Sequence, residues 1–414
     1  MMEITEVTQD VYRLSANLSS HMLFEGMWPM PHGISLNSYL VKGDKVALID
    51  GVGSWEGIPD TLLDQLAQLN LSPEDIDYVI MNHLEPDHTG WLRDLTKITK
   101  DFTLVSTRKG LDLAEAFYDG EDLKTKEVKS GDEIDLGGGK ILLFEEIPNV
   151  HWPETMITYE RSTKTLFSCD AFGSFGAIGE SPYDDQLSEE ETDFFEREAL
   201  RYYANIVATF SPFVERAVKK LESLEIDIVA PSHGIVWRKD PKKIIDDYVR
   251  YASYRKGTAK PEITVIWSSM YGMTEKAIEY VKKGIESEGV KAHVHRVPQT
   301  HISYILQSAW ESTGIVLAMP TYEYRMFPPM AAVVDDLGRK SVSNKEAFRI
   351  GSYGWSGGAQ RELDQIMERY SMNWKMVDPV EFKGCPSESE LEMIQKRSAE
   401  LARRVKDRVK KSSD

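Results

Sequence analysis

Cysteine is nearly absent from this chain: Cys169 and Cys385 are the two present in 414 residues. That excludes a disulfide framework, a paired-thiolate zinc site and a fused iron–sulfur module. Positive charge is also in deficit, with 49 Lys and Arg against 67 Asp and Glu and a formal net charge of −18. Nucleic acid and anionic membrane surfaces would be repelled, so neither is an expected partner. Long apolar runs are missing too, since none approaches the roughly 18 residues of a membrane-crossing helix. The first residues, Met1-Met2-Glu3-Ile4-Thr5-Glu6-Val7, have no basic segment leading into an apolar one. A cytoplasmic location is the expectation. The hydrophobic fraction of 41% is ordinary for a globular protein, and the length exceeds the roughly 100–200 residues that one core serves. Two domains are expected.

What the chain does have is a concentration of metal-ligand side chains. His83-Leu84-Glu85-Pro86-Asp87-His88 follows, one residue on, the apolar stretch Asp77-Tyr78-Val79-Ile80-Met81. A strand ending in such a run presents four ligands to one small volume. Left bare, the carboxylates would repel one another and lose their hydration, and a bound cation removes that cost. His151 in Asn-Val-His-Trp-Pro, Asp170 in Phe-Ser-Cys-Asp-Ala and His233 in Pro-Ser-His-Gly each sit in a turn-like setting beside an apolar run. Any one alone would more often be a satisfied core histidine or a capping aspartate. Together, four imidazoles and three carboxylates without a thiolate suffice for two metal ions that keep open positions for substrate.

Hydrophobic patterning divides the chain near Arg255-Lys256-Gly257-Thr258-Ala259-Lys260-Pro261, giving domains of 1–256 and 257–414. The first half reads as strands at Val11–Leu14, Ser38–Val41, Lys45–Asp50, Thr103–Ser106, Ile141–Phe144, Thr155–Tyr159 and Lys164–Phe167, with helices at Ile58–Leu69 and Leu111–Phe117. Strands stacked with helices outside imply an α/β layered sandwich. In the second half, strands at Ile263–Trp267, Ala292–Arg296, Gly314–Met319, Phe348–Ser352 and Lys375–Val377 alternate with helices at Thr274–Glu286, Ser303–Trp310, Met330–Leu337, Gly358–Tyr370 and Ser387–Lys406. Five such units predict a doubly wound parallel sheet. The mixed-charge tail from Arg403 reads as a fraying helix end.

The spacing of the ligand run resembles the metallo-β-lactamase superfamily, whose zinc hydrolases carry His-x-His-x-Asp-His here. In this chain the second position is Glu85. A carboxylate in place of an imidazole adds charge and hardens the ligand set, moving preference from zinc toward iron or manganese. With that exchange, and over nearly its full length, the chain resembles the flavodiiron proteins, in which a metallo-β-lactamase-like αββα sandwich precedes a flavodoxin-like domain. The resemblance implies that His83, Glu85 and His151 ligate one iron, that Asp87, His88 and His233 ligate the other, and that Asp170 bridges them. Trp152, Phe24 and Trp28 are candidates to wall a pocket for a small diatomic substrate, although buried aromatics are more often core.

In the second half, Ser268-Ser269-Met270-Tyr271-Gly272-Met273-Thr274 runs from a strand into a helix, offering hydroxyls and backbone N–H groups as a phosphate cradle. Such loops are common capping sequences. Recurrence strengthens the reading: Pro320-Thr321-Tyr322-Glu323-Tyr324 follows the third strand, and Ser352-Tyr353-Gly354-Trp355-Ser356-Gly357-Gly358 closes the fourth. Ligands of doubly wound sheets bind at those ends. The resemblance implies flavin mononucleotide (FMN) here, its phosphate on Ser268, Met270, Gly272, Met273 and Thr274 and its ring against Tyr322, Tyr324, Tyr353 or Trp355. Relatives often carry asparagine where Met273 stands.

The function so implied is passage of electrons from a reduced donor through FMN to a di-iron centre that reduces dioxygen to water. Nitric oxide reduction to nitrous oxide is the alternative at the same centre. A zinc hydrolase and a non-catalytic electron carrier are further readings; Glu85 speaks against the first, the full ligand set against the second. The family implies a rubredoxin-type protein or the reduced deazaflavin coenzyme F-420 as donor, and a head-to-tail homodimer or a homotetramer. The acidity of this chain favours the soluble hydride donor, because rubredoxins are themselves acidic.

Overall fold

Short apolar runs separated by turns become the strands of two sheets in the first compact unit, Met1–Tyr203 with Pro212–Val249. The computed structural model describes residues 4–55, 57–118, 123–179 and 181–413. One sheet orders its strands Thr5–Thr8, Val11–Leu18, Ile34–Lys42, Val46–Ile49, Tyr78–Ile80, Thr103–Ser106 and Lys124–Glu127. The first four pair antiparallel and the rest parallel. The other sheet runs Glu133–Gly137, Lys140–Glu146, Met156–Glu160, Thr165–Cys169 and Ile228–Pro231. Alternate residues of both sheets share one core, Tyr39, Val41, Ile49, Ile80 and Val105 meeting Leu142, Phe144, Met156, Phe167 and Ala230. Each large side chain buried this way contributes about 1.5–3 kcal/mol.

Polar side chains carry the order of the core to its rim. Gln65, on the helix Ile58–Gln68, accepts from Ser15 N at 2.8 Å and donates to Ser15 O at 2.9 Å. Asn82 donates through Nδ2 to Asp50 at 3.0 Å, and its Oδ1 accepts from Thr158 Oγ1 at 2.7 Å, so the residue beside the ligand run is tied to both sheets. From Val11–Leu18 and Ile34–Lys42 onward the predicted strands form. Thr5–Thr8, Lys124–Glu127, Glu133–Gly137 and Ile228–Pro231 are additional, as are the helices Glu189–Tyr202, Ser211–Leu221 and Pro241–Ser253.

The second unit, Ala204–Ser211 with Arg250–Asp414, holds a five-stranded sheet ordered Lys291–Arg296, Lys260–Trp267, Ser312–Ala318, Glu346–Tyr353 and Lys375–Lys383. All neighbours are parallel, and the order is that of flavodoxin-like folds. The last strand outruns the expectation, which stopped at Val377 before Asp378-Pro379. A register shift between Phe348 and Ile350 absorbs the proline, and pairing resumes at Val380. The tail is a second correction. It does not fray from Arg403: the helix Glu388–Ser413 runs through it. Val405 is buried in the core, Arg403 and Lys406 reach Glu288 at 2.6 and 3.0 Å, and Arg408 reaches Glu346 at 3.3 Å. Among the described residues no helix is long and apolar enough to cross a membrane.

Candidate metal centre

The ligand run begins where the strand Tyr78–Ile80 ends, and Pro86 starts the short helix Pro86–Thr89 that turns Asp87 and His88 inward. His151 and Asp170 follow the strands Lys140–Glu146 and Thr165–Cys169, and His233 follows Ile228–Pro231. His233 is held by a tight turn. Its Nδ1 lies 2.8 Å from the Ser35 carbonyl, Gly234 N donates to Ser35 Oγ at 2.8 Å, and Asn37 Nδ2 donates to the Gly234 carbonyl at 2.9 Å. Gly234 has φ +81°, and a Cβ there would sit 2.1 Å from Ser174 Oγ, so the turn needs glycine on both counts.

All seven predicted ligands converge. His83, Glu85, His151 and Asp170 bring one ligand atom each within 4.8 Å of the others, and Asp87, His88 and His233 do the same. Asp170 lies between the groups. Its Oδ2 is 3.3 Å from His83 Nε2 and 3.2 Å from His151 Nε2, while its Oδ1 is 3.0 Å from His88 Nε2 and 3.2 Å from His233 Nε2. Glu85 Oε2 lies 3.2 and 3.1 Å from His83 and His151. The two oxygens of Asp87 are 3.4 and 3.2 Å from His88 and His233.

These separations are short, yet Asp87 Oδ1 and Oδ2, Asp170 Oδ2 and His233 Nε2 are buried without a well-directed hydrogen bond. Atoms that aim at a common point, and not at one another, are what a coordinated ion requires, so the donor set fits a pair of metal ions. The electrostatics agree. Burial alone would depress the imidazoles, but Asp170 and Glu85 hold His151 up at about 9, and Asp170 and Asp87 hold His233 up at about 10. Burial likewise pushes Asp170 up, and His88, His151 and His233 outweigh it to hold the carboxyl well below its usual range. The carboxylates and imidazoles thus hold one another in their charged forms, the pairing that a bound cation would replace. Burial, with Asp50 and Asp170, pushes the neighbouring Cys169 thiol well up, so it stays protonated beside a nitrogen and oxygen ligand set.

Three supporting side chains escaped the sequence reading. Glu154 is buried and its Oε1 accepts from His83 Nδ1 at 2.8 Å and from Leu84 N at 3.1 Å. Tyr202 donates from its hydroxyl to Asp170 Oδ1 at 3.0 Å. Asp50 accepts from Asn82 N at 2.8 Å beneath the ligand run. The one available signal for Glu154 was its place three residues after His151. Of the aromatic candidates, Phe24 stands edge-on to His233 with centroids 5.4 Å apart and lines a cavity of about 590 Å³ together with Leu18, Met22, Glu85 and Asp87. Trp152 stands edge-on to His83 at 5.0 Å. Trp28 is core, buried with its Nε1 donating to Glu25 at 2.9 Å.

A second grouping of ligand types, Glu262, His293 and Glu311, is closed by its own ion pairs. His293 lies 2.5 Å from Glu262, and Lys260 lies 2.5 Å from Glu311. Its charges are compensated without an ion.

In the second unit the three predicted loops all lie at carboxyl ends of the parallel strands Lys260–Trp267, Ser312–Ala318 and Glu346–Tyr353. Met270, Tyr271, Tyr322, Tyr324 and Trp355 are exposed there, and the Tyr324 and Trp355 rings meet edge-on at 6.2 Å. Ser269 Oγ accepts from Gly272 N at 2.9 Å. The Ser268 hydroxyl donates to the Val297 carbonyl at 2.8 Å, and Thr274 and Ser352 share a hydrogen bond of 3.0 Å. Met273 and Gly272 are half-buried, Pro320 is buried, and Thr321, Tyr353, Gly357 and Gly358 are half-buried around the exposed Glu323, Gly354 and Ser356.

Residues 34–234 match the family described as ODP family beta lactamase. The nitric oxide reductase of Moorella thermoacetica is 30% identical over 371 residues, covering 89% of this chain and 90% of that protein. Among solved structures, the rubredoxin oxygen:oxidoreductase of Desulfovibrio gigas superposes with a TM-score of 0.91 at 25% identity, covering 98% of this chain and 99% of that one. A mutant of the flavo di-iron protein of Thermotoga maritima gives 0.87 at 28% identity, covering 97% and 98%. The class so defined is a metallo-β-lactamase-like domain joined to a flavodoxin-like sheet. The chain belongs to the flavodiiron protein family, oxidoreductases that carry FMN and a di-iron centre.

Proposed function

We propose that this chain reduces dioxygen to water at a di-iron centre held by His83, Glu85 and His151 on one side, Asp87, His88 and His233 on the other, and Asp170 between. The observation that supports this is the split carboxylate of Asp170, one oxygen turned to each ligand group. When bound, two ferrous ions and a two-electron flavin supply the four electrons that take dioxygen and four protons to two waters. The protein's own side chains do the rest. Glu154 fixes the His83 tautomer by accepting from Nδ1, the Ser35 carbonyl does the same for His233, and each Nε2 is left for metal. Leu18, Met22, Phe24 and Met30 make much of the approach to Glu85 and Asp87 apolar, with Glu25 and Arg93 also in its wall, a lining that admits a small uncharged oxidant.

Reduction of nitric oxide to nitrous oxide is the second reading, favoured by the name of the Moorella thermoacetica relative. In this proposal residues 1–256 form the metal domain and 257–414 the flavin domain. FMN is held by the loops 268–274, 320–324 and 352–358. The donor is the reduced deazaflavin coenzyme or a rubredoxin-type protein, the latter in keeping with the name of the Desulfovibrio gigas structure. The protein is cytoplasmic and works as a head-to-tail homodimer or homotetramer. Anaerobic stopped-flow of the pre-reduced holoprotein against each gas tests the reading. Fast flavin reoxidation by dioxygen without peroxide is expected. A clear advantage for nitric oxide selects the second reading, and slow reoxidation by both gases overturns the two together.

A further inference from the structure

The two ligand groups look alike when only the ligands are counted, with a carboxylate and two imidazoles each around a shared aspartate. Their supports differ. On the His83 side the outer nitrogen, Nδ1, donates 2.8 Å to the carboxylate of Glu154, and both side chains are fully buried. On the His233 side Nδ1 instead donates 2.8 Å to a neutral backbone carbonyl, that of Ser35. A carboxylate accepting from an imidazole makes it a stronger electron donor than an amide carbonyl does. The shared aspartate is biased in the same sense. Tyr202 donates 3.0 Å to Asp170 Oδ1, the oxygen that faces His88 and His233. Oδ2, which faces His83 and His151, has no hydroxyl donor among the described residues and is buried. Charge is drawn from one end of the bridge alone. Asp50 acts through space more on His88 than on His83 and bonds to neither, so it works against the direct bonds only at longer range.

We propose that Glu154 and Tyr202 are positioning residues that make the two metal positions inequivalent, the His83–Glu85–His151 position being the more electron-rich and the first to lose an electron. The inference rests on the di-iron reading above. Two devices act from opposite ends. Glu154 lowers the potential of the first position, and Tyr202, by withdrawing charge from Asp170 Oδ1, raises that of the second. With iron bound, Glu154 and Tyr202 would thereby separate the two one-electron oxidations, each electron leaving to the mediator.

The test is an anaerobic redox titration of the iron- and flavin-loaded protein with mediator dyes, followed by EPR and by Mössbauer spectroscopy of isotopically enriched iron. The wild type is expected to show two resolved iron steps. Glu154→Gln should move the first step upward and leave the second nearly in place, whereas Tyr202→Phe should move the second step downward. Either change narrows the range over which the mixed-valence signal persists. Chelator challenge gives an independent readout, in which Glu154→Gln should release one ion of the two roughly 10–100-fold faster. Should Glu154→Gln fail to load iron, Glu154→Asp keeps the charge and should retain the wild-type order of steps. An intact iron pair whose mixed-valence range is the same in all variants overturns the inference. A protein that holds no coupled iron pair overturns the reading beneath it.

Discussion

At the residue scale the candidate centre depends on buried polar groups that are satisfied once and cannot be satisfied twice. Asp50 is the clearest case. It is 1% exposed, burial pushes its carboxyl up, and it accepts from both the backbone and the side chain of Asn82. Asp50→Ala would strand the Asn82 backbone N–H next to His83 and leave its Nδ2 only the Phe167 carbonyl at 3.5 Å. Each buried donor left alone costs about 1–3 kcal/mol, so the variant should unfold at lower urea concentration and hold less iron per chain than wild type. A denaturation curve beside an iron assay checks this, and unchanged values in both would show that Asp50 does not clamp the ligand run. The seven candidate ligands were legible because His83, Glu85, Asp87 and His88 fall within six residues and the other three lie in recognisable turns. Glu154 and Tyr202 were not, because their roles arise across 71 and 32 residues of sequence, where only the fold sets the partner.

At the scale of elements, close packing and titration give separate tests in the second unit. The helices Glu275–Glu286 and Glu388–Ser413 approach over Gly284, where a Cβ would lie 2.3 Å from the Gln395 carbonyl oxygen and 2.8 Å from Ser398 Cβ. Gly284→Ala should therefore destabilise by about 1–3 kcal/mol, despite the better helix propensity of alanine, because the overpacked helices must part. Urea unfolding measures it. His295 behaves differently: burial, helped by His293, lowers its imidazole to about 4. The unfolded chain takes up that proton near pH 6.5, so between these values the unfolded state binds more protons and stability falls as pH drops. His295→Gln should flatten that part of the stability curve, and melts at neutral and mildly acidic pH compare the two. The second half was read well from sequence because strand and helix periods alternate cleanly there. Between Ser188 and Ser253 the three helices went unread. The first of them opens with Glu189-Glu190-Glu191, whose charge hides the apolar stripe even though Ser188 and Glu191 form a capping box.

At the scale of the whole molecule, each cofactor belongs to one compact unit in the proposed reading. Ligands that bind the folded state stabilise the unit that holds them. Stripping iron with a chelator should lower the unfolding temperature of the first unit and leave the flavin-bound transition in place, which calorimetry with flavin fluorescence resolves. A single transition that moves as one body would show that the two units unfold together and overturn this expectation. The net charge of −18 bears on the donor only through long-range steering, so the rate of reduction by an acidic protein donor should rise with salt. Reduction by a small hydride donor should change little.

The spread of the ligands along the chain also orders events in time. The candidate metal ligands run from His83 to His233, and the unit that carries them closes with Pro212–Val249. The strand that leads into the first flavin loop, Lys260–Trp267, comes later. A chain made from its N-terminus polymerises every iron ligand before any residue of the loops 268–274, 320–324 and 352–358 exists. On the proposed reading, maturation of the metal half is therefore free to begin while the other half is still being synthesised, so that iron is called for before flavin.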